Sequence, residues 1–155
     1  MKKNYEVVML DGLLFPLSGE AKIEKVAALS SSATERIPSL KTVFEGMESI
    51  AIHKTRITLN DVDNVPFVFD VFFRYDEAMG DNQALRYLDD RITWRGDMFT
   101  LKVGHRVEYV GIKTYADRHL AEQATSRVLL TAIVCAQIAL AARRAPVFPR
   151  NIDVD

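Results

Sequence analysis

The sequence predicts an α+β domain: a mainly antiparallel sheet in a split-βαβ-like order, with a long apolar helix at the C-terminal end. Three observations predict it. Residues 52–60 and 65–75 alternate apolar and polar side chains with the period of two that a strand requires. Apolar residues between and around these stretches recur at helical spacing. Residues 116–144 contain neither Gly nor Pro, and within 128–142 only Thr131 and Gln137 are polar.

Taken in order, residues 5–17 are apolar on both parities (Tyr5, Val7 and Met9 against Val8, Leu10 and Leu14), as in a strand covered on both faces. Pro16, Ser18 and Gly19 end it. Ile23, Val26 and Ala27 then predict a helix over 19–30, broken by Ser30-Ser31-Ser32. Ile37, Leu40, Phe44 and Met47 predict a second helical piece, with Pro38 either in its first turn or interrupting it. Residues 52–60 form a strand with His53, Thr55, Ile57 and Leu59 on one side. Asp61-Val62-Asp63-Asn64 is a turn. Residues 65–75 carry Phe67, Phe69, Val71, Phe73 and Tyr75 on one face and Val68, Asp70, Phe72 and Arg74 on the other. Asn82 is placed to cap a helix bearing Leu85, Leu88 and Ile92. Residues 92–103 read as strand, Arg95-Gly96-Asp97 turn and strand, with Phe99, Leu101 and Val103 on the apolar side. A further strand spans 106–113. Residues 116–144 are the long helix; Arg143 and Arg144 suit its C-terminal dipole, and Pro146 and Pro149 stop it.

The 155 residues suit one domain, read as 1–145 with a loose tail over 146–155. A chain of this length buries roughly 70% of its unfolded surface, enough for a core without metal or disulfide. A net charge of −1 argues against strong non-specific nucleic-acid binding. The single cysteine, Cys135, permits no internal disulfide and reads as a reducing, intracellular setting. The start MKKNYEVVML is interrupted by Asp11 and does not read as a secretory signal. The run 128–142 is shorter than the ~18–20 residues of a membrane span and reads as a core helix.

Several short strings resemble functional motifs and have simpler explanations. Tyr87-Leu88-Asp89-Asp90 has the letters of a polymerase metal-binding hairpin, but it ends a predicted helix. Successive side chains on a helix diverge by about 100°, so Arg86 and Asp90 are expected instead to form an exposed i, i+4 pair. Arg95-Gly96-Asp97 has the letters of an adhesion tripeptide, yet a turn explains each residue. Asp61-x-Asp63-Asn64 begins like a calcium loop but lacks its glycine and its final glutamate. His53, His105 and His119 are scattered, with no metal-ligand spacing, and His53 and His105 fall on the more apolar sides of their strands. No phosphate loop, dinucleotide fingerprint, nucleophile elbow or CxxC is present. No cofactor is implied.

Two distributed features remain. If the aromatic parity of each strand packs on helices, the opposite parity gathers Lys54, Arg56, Arg74, Lys102 and Arg106 around Phe72, with Asp70 and Glu108 as acids. A basic sheet face with an aromatic suits single-stranded nucleic acid or another anionic ligand. The last helix is apolar nearly all round, with Val128, Ala132, Cys135, Ala136, Ala139 and Ala142 as its small side. One sheet can cover only part of it, so the rest needs either the other helices of the monomer or a second subunit in a homo-oligomer. The sequence therefore points first to a non-enzymatic binding or assembly domain that self-associates through this helix. The alternatives are a nucleic-acid or anion-binding module, and a small enzyme or carrier with Asp70, His53, His105 and Tyr109 in its pocket.

Overall fold

A computed structural model describes residues 6–32, 35–44, 46–106 and 108–144; of residues 31, 32, 35 and 132–144 only the backbone is described. The chain runs through β1 (Glu6–Phe15), β2 (Lys22–Ser32), β3 (Glu35–Pro38), a 3-10 turn (Leu40–Thr42), β4 (His53–Asn60) and β5 (Pro66–Phe73). It continues through α1 (Gln83–Leu88), β6 (Met98–Val103), β7 (Tyr109–Val110) and α2 (Tyr115–Arg144). The class is α+β, as the alternation predicts. The sheet is antiparallel throughout, in the order β3-β2-β1-β6-β5-β4, with β7 on the far part of β6.

The split-βαβ order is not what forms. Residues 19–30 are not a helix: β2 folds back on β1 as a hairpin, from Leu14 opposite Lys22 to Glu6 opposite Ser30. Nor is the second predicted helix present, because β3 and the 3-10 turn occupy its place. The physical reason lies in β2 itself. Val26 and Ala28 are buried while Ile23 and Leu29 are exposed, so both faces of this strand carry apolar residues. That blurs the period of two and imitates helical spacing. The short strand predicted before the Arg95-Gly96-Asp97 turn does not form, leaving one bridge between Asp81 and Arg95, and the strand predicted over 106–113 reduces to the two residues of β7.

Both faces of the sheet are covered at its centre. On one, α2 lies over β4, β5 and β6, and Ala121, Ala124, Val128 and Leu129 meet Phe69, Val71, Leu59 and Leu13. Small residues at 121 and 124 let the helix approach closely. On the other, the sheet curls so that Leu10, Leu14, Val26 and Ala28 close over Phe72, Phe99 and Leu101, together with Val43 and Phe44 from the loop after β3. Arg36 of β3 reaches across this curl and donates to the Tyr109 carbonyl of β7 at 2.7 Å.

The Arg95-Gly96-Asp97 string is not an exposed hairpin tip. Gly96 does adopt a positive φ of 152°. A Cβ there would sit 1.9 Å from the Arg74 carbonyl oxygen, which makes the glycine a packing requirement. Asp97 is buried and accepts from Arg74 Nε at 2.8 Å and Nη2 at 2.9 Å, rather than from its own local backbone. Tyr87-Leu88-Asp89-Asp90 does end α1. Arg86 pairs with Asp81 at 3.9 Å, however, not with Asp90, and Asp89 pairs with Arg91 at 2.8 Å. Asn82 caps α1 as predicted, accepting from Leu85 N–H at 2.8 Å.

Because Asp97 is buried, Arg74→Met should leave an uncompensated charge and cost about 3–5 kcal/mol in urea unfolding. Arg95→Met, in the same motif but on the surface, should cost under about 1 kcal/mol.

Candidate functional site

The residues predicted to share a basic face do not share one. Lys54, Arg56, Asp70 and Phe72 do lie on the same side of the sheet, since Arg56 opposes Asp70 and Lys54 opposes Phe72. Phe72 is buried, its ring 6.0 Å from that of Tyr109, and so offers no stacking platform. Arg74 is buried with Asp97. Lys102 is on the opposite face, because it opposes Phe69. There it donates to Asp117 of α2 at 2.9 Å and lies 4.9 Å from the Phe67 ring centroid. Arg106 is exposed in the turn between β6 and β7. The parity of β6 is thus the reverse of the expectation. Phe99 and Leu101 fill the core inside the curl, while Thr100 and Lys102 sit under α2 and find polar partners there. Thr100 and Thr125 hydroxyls are 2.7 Å apart.

What β4 and β5 do bring together is a charged cluster around Asp70. Its carboxylate is fully buried and accepts two hydrogen bonds from Arg56, Nε at 2.8 Å and Nη2 at 2.9 Å. Tyr109, carried in by β7, adds its hydroxyl at 2.6 Å. Burial by itself raises the carboxyl's pKa. The hydrogen bonds from Arg56 and Tyr109, with the Arg56 charge, outweigh it and hold Asp70 below the ordinary carboxylate range. Hydrogen bonding to Asp70 raises the Arg56 guanidinium further. Burial, then the bond to ionised Asp70, pushes the Tyr109 phenol well above its usual value.

This cluster borders a groove of about 650 Å³ at the end of the sheet, between the β4–β5 and β6–β7 turns. Arg56, Thr58, Phe67, His105, Arg106 and Glu108 are among the residues that line it. His105 is exposed, as is His53, whose ring is 5.6 Å from that of Phe73; neither is the core histidine its parity suggests. The sequence reading found Arg56 and Arg106. It placed Tyr109 only as a pocket group and missed that Asp70 and Tyr109 are partners. No spacing could have shown that, since 39 residues separate them.

A second surface went unnoticed in the sequence because its residues belong to the misread β2 and β3. Val7, Leu29 and Ile37 stand side by side across three strands, on the sheet face that carries α2 elsewhere. They are 64%, 49% and 60% exposed, and Met9 next to them is 54% exposed. Asp11 and Lys25, paired at 3.0 Å, border the patch. The helix residues predicted to form an interface, Ala132, Cys135, Ala136, Ala139 and Ala142, have side chains outside the described set, and the tail 146–155 lies outside it entirely. Before them, α2 is amphipathic: Ala121, Ala124 and Leu129 are buried while His119, Gln123, Arg127 and Leu130 are exposed.

Among the described residues no three His, Cys, Asp or Glu side chains are grouped to hold a metal ion, and no helix is long and apolar enough to cross a membrane. Comparison with protein-family models, curated proteins and solved structures yielded no match.

Asp70 titrates lower in the fold than in the unfolded chain. Its contribution to stability is therefore complete above about pH 4, the ordinary value, and is lost as pH falls through the depressed one. Asp70→Asn should cost about 1–3 kcal/mol at pH 7. The gap between variant and wild type, followed by thermal unfolding from pH 7 to pH 2, should narrow below pH 4.

Proposed function

We propose that the protein is a non-enzymatic binding and assembly domain that associates with a second copy of itself. The observation that carries this reading is the uncovered apolar row of Val7, Leu29 and Ile37, extended by Met9. Large apolar side chains standing together on a sheet surface mark an interaction face more often than scattered ones do. Elsewhere on the same sheet face, α2 covers the equivalent positions of β4 and β5.

A two-fold pairing sets one patch against its own copy. The border supplies both signs of charge for such a pairing, since Asp11 and Lys25 lie opposite each other on neighbouring strands. The 132–142 segment, apolar nearly all round in sequence, is the other feature that favours assembly. Against catalysis by the buried cluster stands its own chemistry. A general acid or base works best when its pKa lies near the working pH. Asp70 and Asp117 are both held low, and Tyr109 is pushed up. These groups hold fixed protonation states and serve as anchors.

In sedimentation equilibrium the wild-type chain should exceed its monomer mass of 17.5 kDa. Leu29→Glu with Ile37→Glu should return it to that mass without loss of Trp94 burial, read by fluorescence. A monomeric wild type would defeat the assembly reading. Association that survives these changes but fails in Ala139→Glu would move the interface to the helix.

A further inference from the structure

We propose that the groove between the β4–β5 and β6–β7 turns binds a small zwitterion, with its carboxylate between Arg56 and Arg106 and its ammonium on Glu108. The volume, about 650 Å³, is that of an ordinary small-molecule site. One wall presents a fixed cation. Arg56 spends Nε and Nη2 on Asp70, and Asp70 is itself fixed by the Tyr109 hydroxyl. The guanidinium is thereby locked in orientation while its side chain remains 45% exposed, leaving Nη1 as an oriented donor. Such a fork loses little further freedom when it takes up a carboxylate.

The charges of the groove otherwise balance. Arg56 is matched by Asp70, and Lys102 by Asp117. Arg106 and Glu108 have no ion-pair partner among the described residues. The lining therefore offers one cation and one anion in excess of its internal pairs, which suits a dipolar ligand better than a simple anion.

Glu108 carries the second half of the argument. Its Oε2 is buried and lacks a hydrogen-bond partner. A buried acceptor left unmade costs free energy that a donor would recover. Its Oε1 sits against Gly104, and a Cβ there would come within 2.5 Å of this flexible end and push it aside. The terminal torsion of a glutamate is broad, so the carboxylate can tilt its unpaired oxygen toward a donor in the groove at small cost. An ammonium would supply the missing donor, and Phe67 and Val103 would flank the carbon chain between the two charged ends.

The test is an NMR-monitored titration of the full chain with β-alanine, propionate and propylamine, which share a carbon skeleton but carry both charges or one. β-Alanine should bind at least about tenfold tighter than either single-charge analogue. Glu108→Gln, and independently Gly104→Ala, which keeps the acid but displaces it, should reduce β-alanine to the level of propionate. Arg106→Ala should weaken β-alanine and propionate together. Unchanged Trp94 emission certifies the fold of each variant, and either Glu108→Gln or Gly104→Ala suffices if the other fails to fold. Equal binding of β-alanine and propionate, a preference that persists in the folded variant, or no binding of β-alanine at its solubility limit would each overturn the proposal.

Discussion

The centre of this fold depends on one buried ion pair. Arg74 is 2% exposed and gives both edges of its guanidinium away: two hydrogen bonds to Asp97 and one to the Gly46 carbonyl at 2.6 Å. The same guanidinium lies 5.4 Å from the Phe44 ring centroid. Desolvating a cation and a carboxylate is costly, and the cost is met only where the geometry is complete. Completing it fixes the end of β5, the start of β6 and the loop after β3 relative to one another. The Arg74 backbone is used as fully as its side chain. Its carbonyl accepts from Trp94 Nε1 at 3.3 Å, and it leaves Gly96 no room for a side chain.

The same principle recurs across the sheet. β5 and β6 are buried on both faces, so every polar residue they carry must find a partner inside the protein. Asp70 finds Arg56 and Tyr109, Thr100 finds Thr125, and Lys102 finds Asp117. The partners come from three neighbours, β4, β7 and α2, the helix supplying two of them. The polar groups thus act as register marks between elements that apolar contact alone would let slide. Tyr109 is the furthest-reaching of them, because its hydroxyl holds Asp70 while its carbonyl receives Arg36 from the opposite rim of the curl.

What the sequence made legible follows from this pattern. β4 and α2 were readable because each has one side wetter than the other, at least over part of its length, and β5 because it is a run of aromatic and β-branched residues. The Asn82 cap was readable because capping is local chemistry. β2 was not, since Val26 and Ala28 face a core while Ile23 and Leu29 face outward as apolar residues too. The parity of β6 was inverted for a related reason. With Phe99 and Leu101 on one side, Thr100 and Lys102 look solvent-facing until Thr125 and Asp117 are known to lie above them. Of the candidate site, Arg56 and Arg106 could be named from charge, but the Asp70–Tyr109 contact depends on where a two-residue strand docks. The apolar patch on β1–β3 was invisible because it exists only once the hairpin does.

Asn82 closes a circuit that has a chemical lifetime. Its side-chain nitrogen donates to the carbonyls of Phe15 at 2.9 Å and Gly96 at 2.8 Å, while its oxygen caps α1. Hydrolysis of that amide to a carboxylate would aim negative charge at two carbonyl oxygens and sever β1 from β6 where they pair. The usual route to such hydrolysis begins with attack by the next residue's backbone nitrogen. In this fold the Gln83 nitrogen is engaged with the Leu17 carbonyl at 3.1 Å, and the Asn82 side chain is 1% exposed. The geometry that makes this asparagine indispensable also shelters it from ageing, and loosening of the Pro16–Ala21 connection would expose both vulnerabilities together.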